Sequence, residues 1–294
     1  MFMQLLANGL VTGSVIALAA AGVSIVYGIL RLVNFAYGDY MTFGAFIGIL
    51  FNVTLDLPIV PAAMLAMAAT AVLSVALELV LWRPLRAKSA GFMSLFLVSV
   101  GLALVLRHVI YLVAGPQPRT YAVDPYKVYV IGSARLSGAQ GIAIVVAAVA
   151  IVLVGLLIAR TGIGRMMRAL ADDLPLAAVA GVRTSRVILV AWIVSGLLAG
   201  LAGVLAGLVQ TSFDPQLGFT LLLPIFAAVV LGGIGSVYGA LAGGLALGLA
   251  MELSTWPELA GGVNPTYKPV VAFAALVCVL LLRPQGLFGR ARVV

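Results

Sequence analysis

Apolar residues run through this chain in long continuous stretches separated by short polar breaks, without the two-residue alternation of a half-exposed strand. The stretches are Leu5 to Leu30, Tyr40 to Asp56, Pro58 to Trp82, Gly91 to Ala114, Gly138 to Ala159, Arg186 to Gln210, Phe219 to Gly233, Gly235 to Ser254 and Pro269 to Leu282. About 20 apolar residues are needed for a helix to cross a hydrocarbon core of about 30 Å, so the pattern predicts about nine spans, two of them short. Inside a bilayer only helices or a closed barrel can satisfy the backbone, and runs that do not alternate exclude the barrel. The predicted fold is all-α: a polytopic integral membrane bundle of about 8–9 transmembrane helices, with residues 1–294 forming a single domain.

Composition agrees. Hydrophobic residues make up 64% of the chain and charged residues 9%, with a mean hydropathy of +1.22, whereas soluble domains carry about 25% charged residues. Met1-Phe2-Met3-Gln4 has no basic residue and the apolar run behind it continues to Leu30, too long for the core of a signal peptide, so the first segment is expected to be a retained span.

Charge then orients the bundle, because Lys and Arg in short loops stay on the cytoplasmic side. Arg83, Arg86 and Lys88 form one cluster; Arg160, Arg165, Arg168, Arg183 and Arg186 a second; Arg283, Arg290 and Arg292 a third. The loops 115–137 and 255–268 are sparser, with Arg119, Lys127 and Arg135 in one and Lys268 in the other. This predicts external loops at 115–137 and 255–268, a cytoplasmic loop at 160–186, the C-terminus in the cytoplasm and the N-terminus outside. The net charge of +8 reflects that topology; nucleic-acid binding would need the charge gathered on one soluble face.

Candidate chemistry inside the spans is sparse. The three lysines follow Ala87, Tyr126 and Tyr267, so no Gly-Lys-Ser/Thr phosphate loop exists, and one His with one Cys cannot form a metal site. His108 reads as an interfacial anchor, Cys278 as a small apolar packing residue, and Glu78 and Glu252 as carboxylates that snorkel from span ends. Two polar, glycine-bearing breaks stand out: Asn34-Phe35-Ala36-Tyr37-Gly38-Asp39 and Gly232-Gly233-Ile234-Gly235-Ser236, the latter followed by Tyr238. Interrupted helices in two parts of a transporter mark a translocation site. Asn34, Tyr37, Gly38, Asp39, Gly232, Gly233, Gly235, Ser236 and Tyr238 are therefore candidate pathway residues, the alternative being tight turns and glycines that let helices pack closely.

The segment from Gly164 to Arg183 is too charged to cross a bilayer but is patterned for short helices. Asp172 and Asp173 can cap free amides at a helix start, Pro175 falls in the first turn, and Gly181 can take the left-handed conformation that stops the helix. Leu174, Ala177, Ala178 and Gly181 share roughly one side at helical spacing, and Thr184-Ser185 restart a helix into the next span. A small exposed helix with an Ala-rich face, flanked by Arg165, Arg168 and Arg183, is either a seat for a protein outside the membrane or an ordinary solvated loop.

Here the chain resembles a known family. Ala169, Asp172, Asp173, Ala178 and Gly181, with Arg168 beside them, are similar to the EAA-type coupling motif of ATP-binding-cassette importer permeases. Gly13-Ser14-Val15-Ile16-Ala17-Leu18, Gly22, Val26-Tyr27-Gly28-Ile29 and Val33-Asn34-Phe35-Ala36-Tyr37-Gly38-Asp39 resemble the start of LivH-type permeases for branched-chain amino acids. Leu231 to Ala240 and Leu282-Arg283-Pro284-Gln285-Gly286-Leu287-Phe288-Gly289 fit as well. Tyr37 stands where that family more often has His, and Asp172-Asp173 replaces a Glu-Asp pair. The resemblance implies a permease domain of an importer in a bacterial inner membrane, pairing with a second related permease subunit, two cytosolic ATPase subunits and an external solute-binding protein. ATP and Mg would be held by the ATPases, with no cofactor in this chain. With few charges in the spans, selectivity would reside largely in the binding protein. Alternatives are a permease for urea or short amides and, from another class, an autonomous secondary carrier or channel, which would need coupling-ion or filter residues of its own.

Overall fold

A computed structural model describes residues 1–123, 128–131, 134–257, 262–283 and 286–287. Lys127, Arg290, Arg292 and the Pro284-Gln285 and Phe288-Gly289 parts of the terminal motif lie outside the described residues, as do parts of loops 115–137 and 255–268.

The helices, in chain order, are α1 Phe2–Leu30, α2 Tyr37–Ile49, α3 Ile59–Leu77, α4 Arg83–Ala87, α5 Phe92–Ala114, α6 Gly138–Arg160, α7 Gly162–Asp172, α8 Leu174–Val179, α9 Thr184–Gln210, α10 Leu217–Gly232, α11 Val237–Leu253 and α12 Lys268–Leu282. One π-helical turn, Leu50–Thr54, extends α2, and another, Glu78–Trp82, joins α3 to α4. Six helical segments among the described residues are long and apolar enough to cross a membrane: Phe2–Leu30, Ile59–Ala87, Phe92–Ala114, Gly138–Arg160, Thr184–Gln210 and Pro265–Leu282. Leu217–Gly232 and Val237–Leu253 are shorter apolar helices. The apolar stretches of the sequence thus fall on helices throughout. The departure from an all-α reading is a small antiparallel hairpin, β1 Val128–Ile131 with β2 Ala134–Ser137, in register Val128 to Ser137. A Val-Tyr-Val-Ile run of β-branched and aromatic residues favours that conformation.

α1 and α9 are apolar on every side and accordingly sit at the centre. α1 runs antiparallel to α11, with Gly9 beside Leu249, Gly13 beside Leu245 and Ala17 beside Gly244; α9 runs antiparallel to α3, with Gly196 beside Ala71 and Gly200 beside Met67. Small residues let these backbones approach to van der Waals contact, which is how helices associate where lipid offers no hydrophobic drive. α5, α6 and α12 lie outside this centre and expose most of their apolar surface. Cys278 is exposed on α12 rather than packed in the interior.

Two ends of the bundle are distinguishable. One carries the β-hairpin, where the Gln4 side chain donates to Arg135 O at 3.0 Å and accepts from Arg135 N at 2.7 Å. There Tyr121 donates to Ala45 O at 2.8 Å, and burial pushes its phenol pKa upward. The other end carries α7 and α8. Glu78 and Glu252 do not snorkel. Each is buried and paired: Glu78 with Arg86 (3.0 Å from Nη1 to Oε2) and Glu252 with Lys268 (2.7 Å). A carboxylate withdrawn from water needs a cation beside it, and each has a basic residue folded back within reach.

Candidate functional site

The first break, residues 31–36, turns the chain back along α1. Arg31 caps α1 in the left-handed conformation (φ 53°) and Asn34 Oδ1 accepts from Ala36 N at 3.1 Å, closing a local turn. The Tyr37 hydroxyl, buried, donates to Ser195 O at 3.3 Å and lies against Gly22; Ser195 Oγ donates to Gly22 O at 2.9 Å. Gly22 is eight residues short of the end of α1, about 12 Å at helical rise, so α2 starts deep inside the bundle.

A second helix starts at the same place. After α9 the irregular segment Thr211–Gln216 re-enters the protein: Phe213 packs on Tyr121 and Phe46 at 5.5 Å each, and Asp214 Oδ1 accepts from Gln216 N at 2.8 Å. α10 then begins with Gly218 backbone to backbone with Gly38. Thr42 bridges the two, donating to Gly38 O at 3.2 Å and accepting from Gly218 N at 2.9 Å. Irregular backbone at this depth is tolerated only where protein or a watery cavity covers it; Phe213 and Pro215 are buried, while Thr211, Ser212 and Gln216 are exposed.

Beside this junction Asp39, 1% exposed, accepts two bonds from Arg107 of α5, Nε to Oδ1 at 3.0 Å and Nη2 to Oδ2 at 3.2 Å. The Arg107 guanidinium also lies 4.1 Å from the ring centroid of Phe219 on the first turn of α10. Phe35 completes the neighbourhood, between Phe96 at 5.1 Å and Phe226 at 4.9 Å.

The second predicted break is placed elsewhere. Gly232 lies against Gly239, Ser236 Oγ accepts from Gly239 N at 3.1 Å to cap α11, and Gly235 lies beside Gly28, six residues further along α1 than Gly22. Gly233 and Gly235 form the turn between α10 and α11, and Tyr238 donates to Gly155 O of α6 at 3.0 Å. Asn34, Tyr37, Gly38 and Asp39 are thus held together, as are Gly232, Gly233, Gly235, Ser236 and Tyr238, but the two groups are not brought into one site. Instead the second group meets the loop helices. Gly235, Ser236 and Tyr238 line a cleft of about 640 Å³ with Tyr27 of α1, its cap Arg31, and Arg168 and Asp172 of α7.

At that end the short helices form as their residues dictate. Thr161 caps α7 by accepting from Gly164 N at 3.0 Å, and Arg168 reaches back to Ile158 O. Asp173 caps α8, its Oδ1 accepting from Leu176 N at 2.9 Å. α8 ends in a Schellman motif, Val182 N to Ala177 O at 3.0 Å and Gly181 N to Ala178 O at 3.1 Å, with Gly181 at φ 85°. Ala177 turns inward, so the outward surface is not the expected alanine face: Leu176 is 67% and Val179 87% exposed, with Ala169, Asp172, Asp173 and Ala178 also exposed.

Sequence reasoning missed three features. Arg107 is a lone basic residue within an apolar run, and an ionisable residue there demands a partner, which the fold supplies as Asp39. The Phe213-Asp214-Pro215-Gln216 break before α10 carried the same kind of signal as Asn34 to Asp39. Leu176 and Val179 were visible as apolar residues, but their outward direction depends on which side of α8 meets α7.

Residues 5–280 match the model of a family described as the permease component of branched-chain amino acid transport systems. The chain is 34% identical to the high-affinity branched-chain amino acid transport system permease protein BraD of Pseudomonas aeruginosa, with 99% of this chain and 97% of the relative covered. It is 32% identical to LivH of Escherichia coli K12, with the same coverage. Among solved structures, PsaBC from Streptococcus pneumoniae in complex with Fab matches with a TM-score of 0.51 and 15% identity, over 98% of this chain and 94% of that one, a likeness of fold alone.

Proposed function

Because the chain belongs to the family of permease components of branched-chain amino acid transport systems, we propose that it is the membrane subunit of an ATP-driven importer for branched-chain amino acids. The observation that carries this is similarity along essentially the whole chain to permeases named for that transport. The α7–α8 end supplies the physical complement: a capped helix that exposes Leu176 and Val179 to the surroundings is a seat for a second protein. In this reading α8, with Arg168, Ala169, Asp172, Asp173, Ala178 and Gly181, rests on a cytosolic ATPase that binds ATP and Mg. That end faces the cytoplasm of a bacterial inner membrane, and the β-hairpin end faces an external solute-binding protein. The bundle has nine crossings, α2, α10 and α11 being the short ones, with the N-terminus outside and the C-terminus inside. A second permease subunit completes the pore, and the residues around Asn34 to Asp39 and Gly232 to Tyr238 line successive parts of the route.

Reconstitution tests this. Proteoliposomes containing the permease pair, its ATPases and its binding protein should accumulate leucine, isoleucine or valine only when ATP is supplied. Uptake of urea or short amides in their place would replace the substrate. Uptake by this chain without an ATPase would replace the whole reading with an autonomous carrier.

A further inference from the structure

The ion pair between Asp39 and Arg107 is more than an interior clamp. Arg107 is the 16th of the 23 residues of α5, about 6 Å from the helix midpoint at helical rise. At such depth a charge costs heavily unless it is paired, and polar groups face either protein or a watery cavity, not lipid. Asp39 is sealed, but Arg107 is not: its side chain is 13% exposed, and it lies over a Phe219 ring that is half exposed. The residues that helical spacing places beside Phe219 and Arg107 are mixed in character. Gln216, which precedes α10, Thr220 on α10 and His108 on α5 are all exposed, as are the apolar Leu104 and Leu223. The exposed edge of a charged pair at this depth has to meet protein or water rather than lipid.

We infer that Asp39, Arg107 and Phe219 form a solute site that receives the charged ends of a zwitterionic amino acid by exchange of partners. The solute carboxylate takes Arg107, its ammonium takes Asp39, and its aliphatic side chain lies on Phe219 and Leu223. Each charge keeps an opposite neighbour throughout and the site's net charge does not change, so a zwitterion enters a low-dielectric region without leaving a buried ion unpaired. An uncharged solute such as urea would have to leave the pair closed. Chemistry of this kind requires both charges on the solute. This inference rests on the amino-acid reading above and adds where the solute is held and by which groups.

The test uses the assembled transporter in nanodiscs, with Thr220→Cys in a Cys278→Ala background and a permanently charged methanethiosulfonate reagent. The cysteine should be labelled, and millimolar leucine should slow labelling at least fivefold. Leucinol, which lacks the carboxylate, and 4-methylpentanoate, which lacks the ammonium, should not. Adding Asp39→Asn with Arg107→Gln keeps a donor where Arg107 Nε stands, gives up the Nη2 bond and removes both charges; labelling should persist, leucine protection should vanish, and uptake should fall at least tenfold with assembly retained. No labelling, labelling indifferent to leucine, equal protection by the two analogues, or protection that survives the double substitution would each overturn the site. Failure of the parent reading looks different: a wild-type complex that takes up no leucine at all removes the substrate assignment and the site together, whereas uptake without protection removes the site alone.

Discussion

Gly218→Ala should separate the two helix starts at the centre of the molecule. A Cβ at position 218 would lie 1.7 Å from Gly38 O and 2.3 Å from Gly38 C, whereas an ordinary carbon–oxygen contact is about 3.3 Å. Neither obstacle is a flexible side chain, so α2 and α10 must move apart by about 1.5 Å. That shift also stretches the Gly218 N to Thr42 Oγ1 bond, now 2.9 Å. Overpacking of this kind costs about 1–3 kcal/mol. At about 2–4 °C per kcal/mol for a chain somewhat smaller than this one, the thermal midpoint of the detergent-solubilised complex should fall by roughly 2–12 °C. Because Phe219 adjoins Gly218 and Asp39 adjoins Gly38, the same displacement pulls Phe219 from Arg107, and solute uptake should fall more than stability explains. Gly101→Ala is the control, since a Cβ there meets nothing within 4 Å. Fluorescence-detected size-exclusion after heating, together with uptake, reads both effects. A Gly218→Ala protein with wild-type midpoint and uptake would refute the reasoning.

The α7–α8 end offers further tests. Gly181→Val forces a β-branched residue to φ 85° at about 1–2 kcal/mol, and Asp173→Ala removes the α8 cap at about 1 kcal/mol; both should lower uptake and ATPase association while membrane insertion is retained, as read by copurification. Leu176→Asp with Val179→Asp should abolish ATPase copurification without changing the thermal midpoint of this chain, because neither side chain is buried. In a Cys278→Ala background, cysteines at Ser137 and Thr266 should react with an impermeant reagent in intact cells and one at Ser185 should not; the reverse pattern overturns the proposed orientation.

Much of the helical layout was legible because unbroken apolar runs leave the chain few alternatives. Continuous runs such as Gly138 to Ala159 became α6 with its boundaries nearly unchanged, and the cap and stop residues of α8, Asp173 and Gly181, acted as local chemistry requires. Depth was not legible. Asn34 to Asp39 and Gly232 to Ser236 look alike as polar glycine-bearing breaks, yet one begins a helix deep in the bundle and the other closes a turn six residues of α1 further on. That difference is set by which helices pack around them, which no local pattern records. The pairing of Asp39 with Arg107, 68 positions apart, is of the same kind: the need for a partner can be read from burial cost, but the partner's identity depends on α2 and α5 becoming neighbours. Glu78 and Glu252 misled for a related reason, since Arg86 and Lys268 were close enough in sequence to fold back over them and make burial affordable.

Asp173 both closes α7 and opens α8, and only Ala180, Gly181, Val182 and Arg183 separate α8 from α9. One residue extends at most about 3.6 Å, so under the proposed coupling this end has almost no slack to absorb a push. A stroke delivered to Leu176 and Val179 passes at once to α9 on one side and, through α7, to Ile158 of α6 and to Arg31 at the end of α1 on the other. A gear train without backlash also runs in reverse. Because coupling between two binding sites is reciprocal, whatever holds the pore in one conformation must bias the ATPase seated on α8, so the motor would register from the membrane side whether its load has arrived.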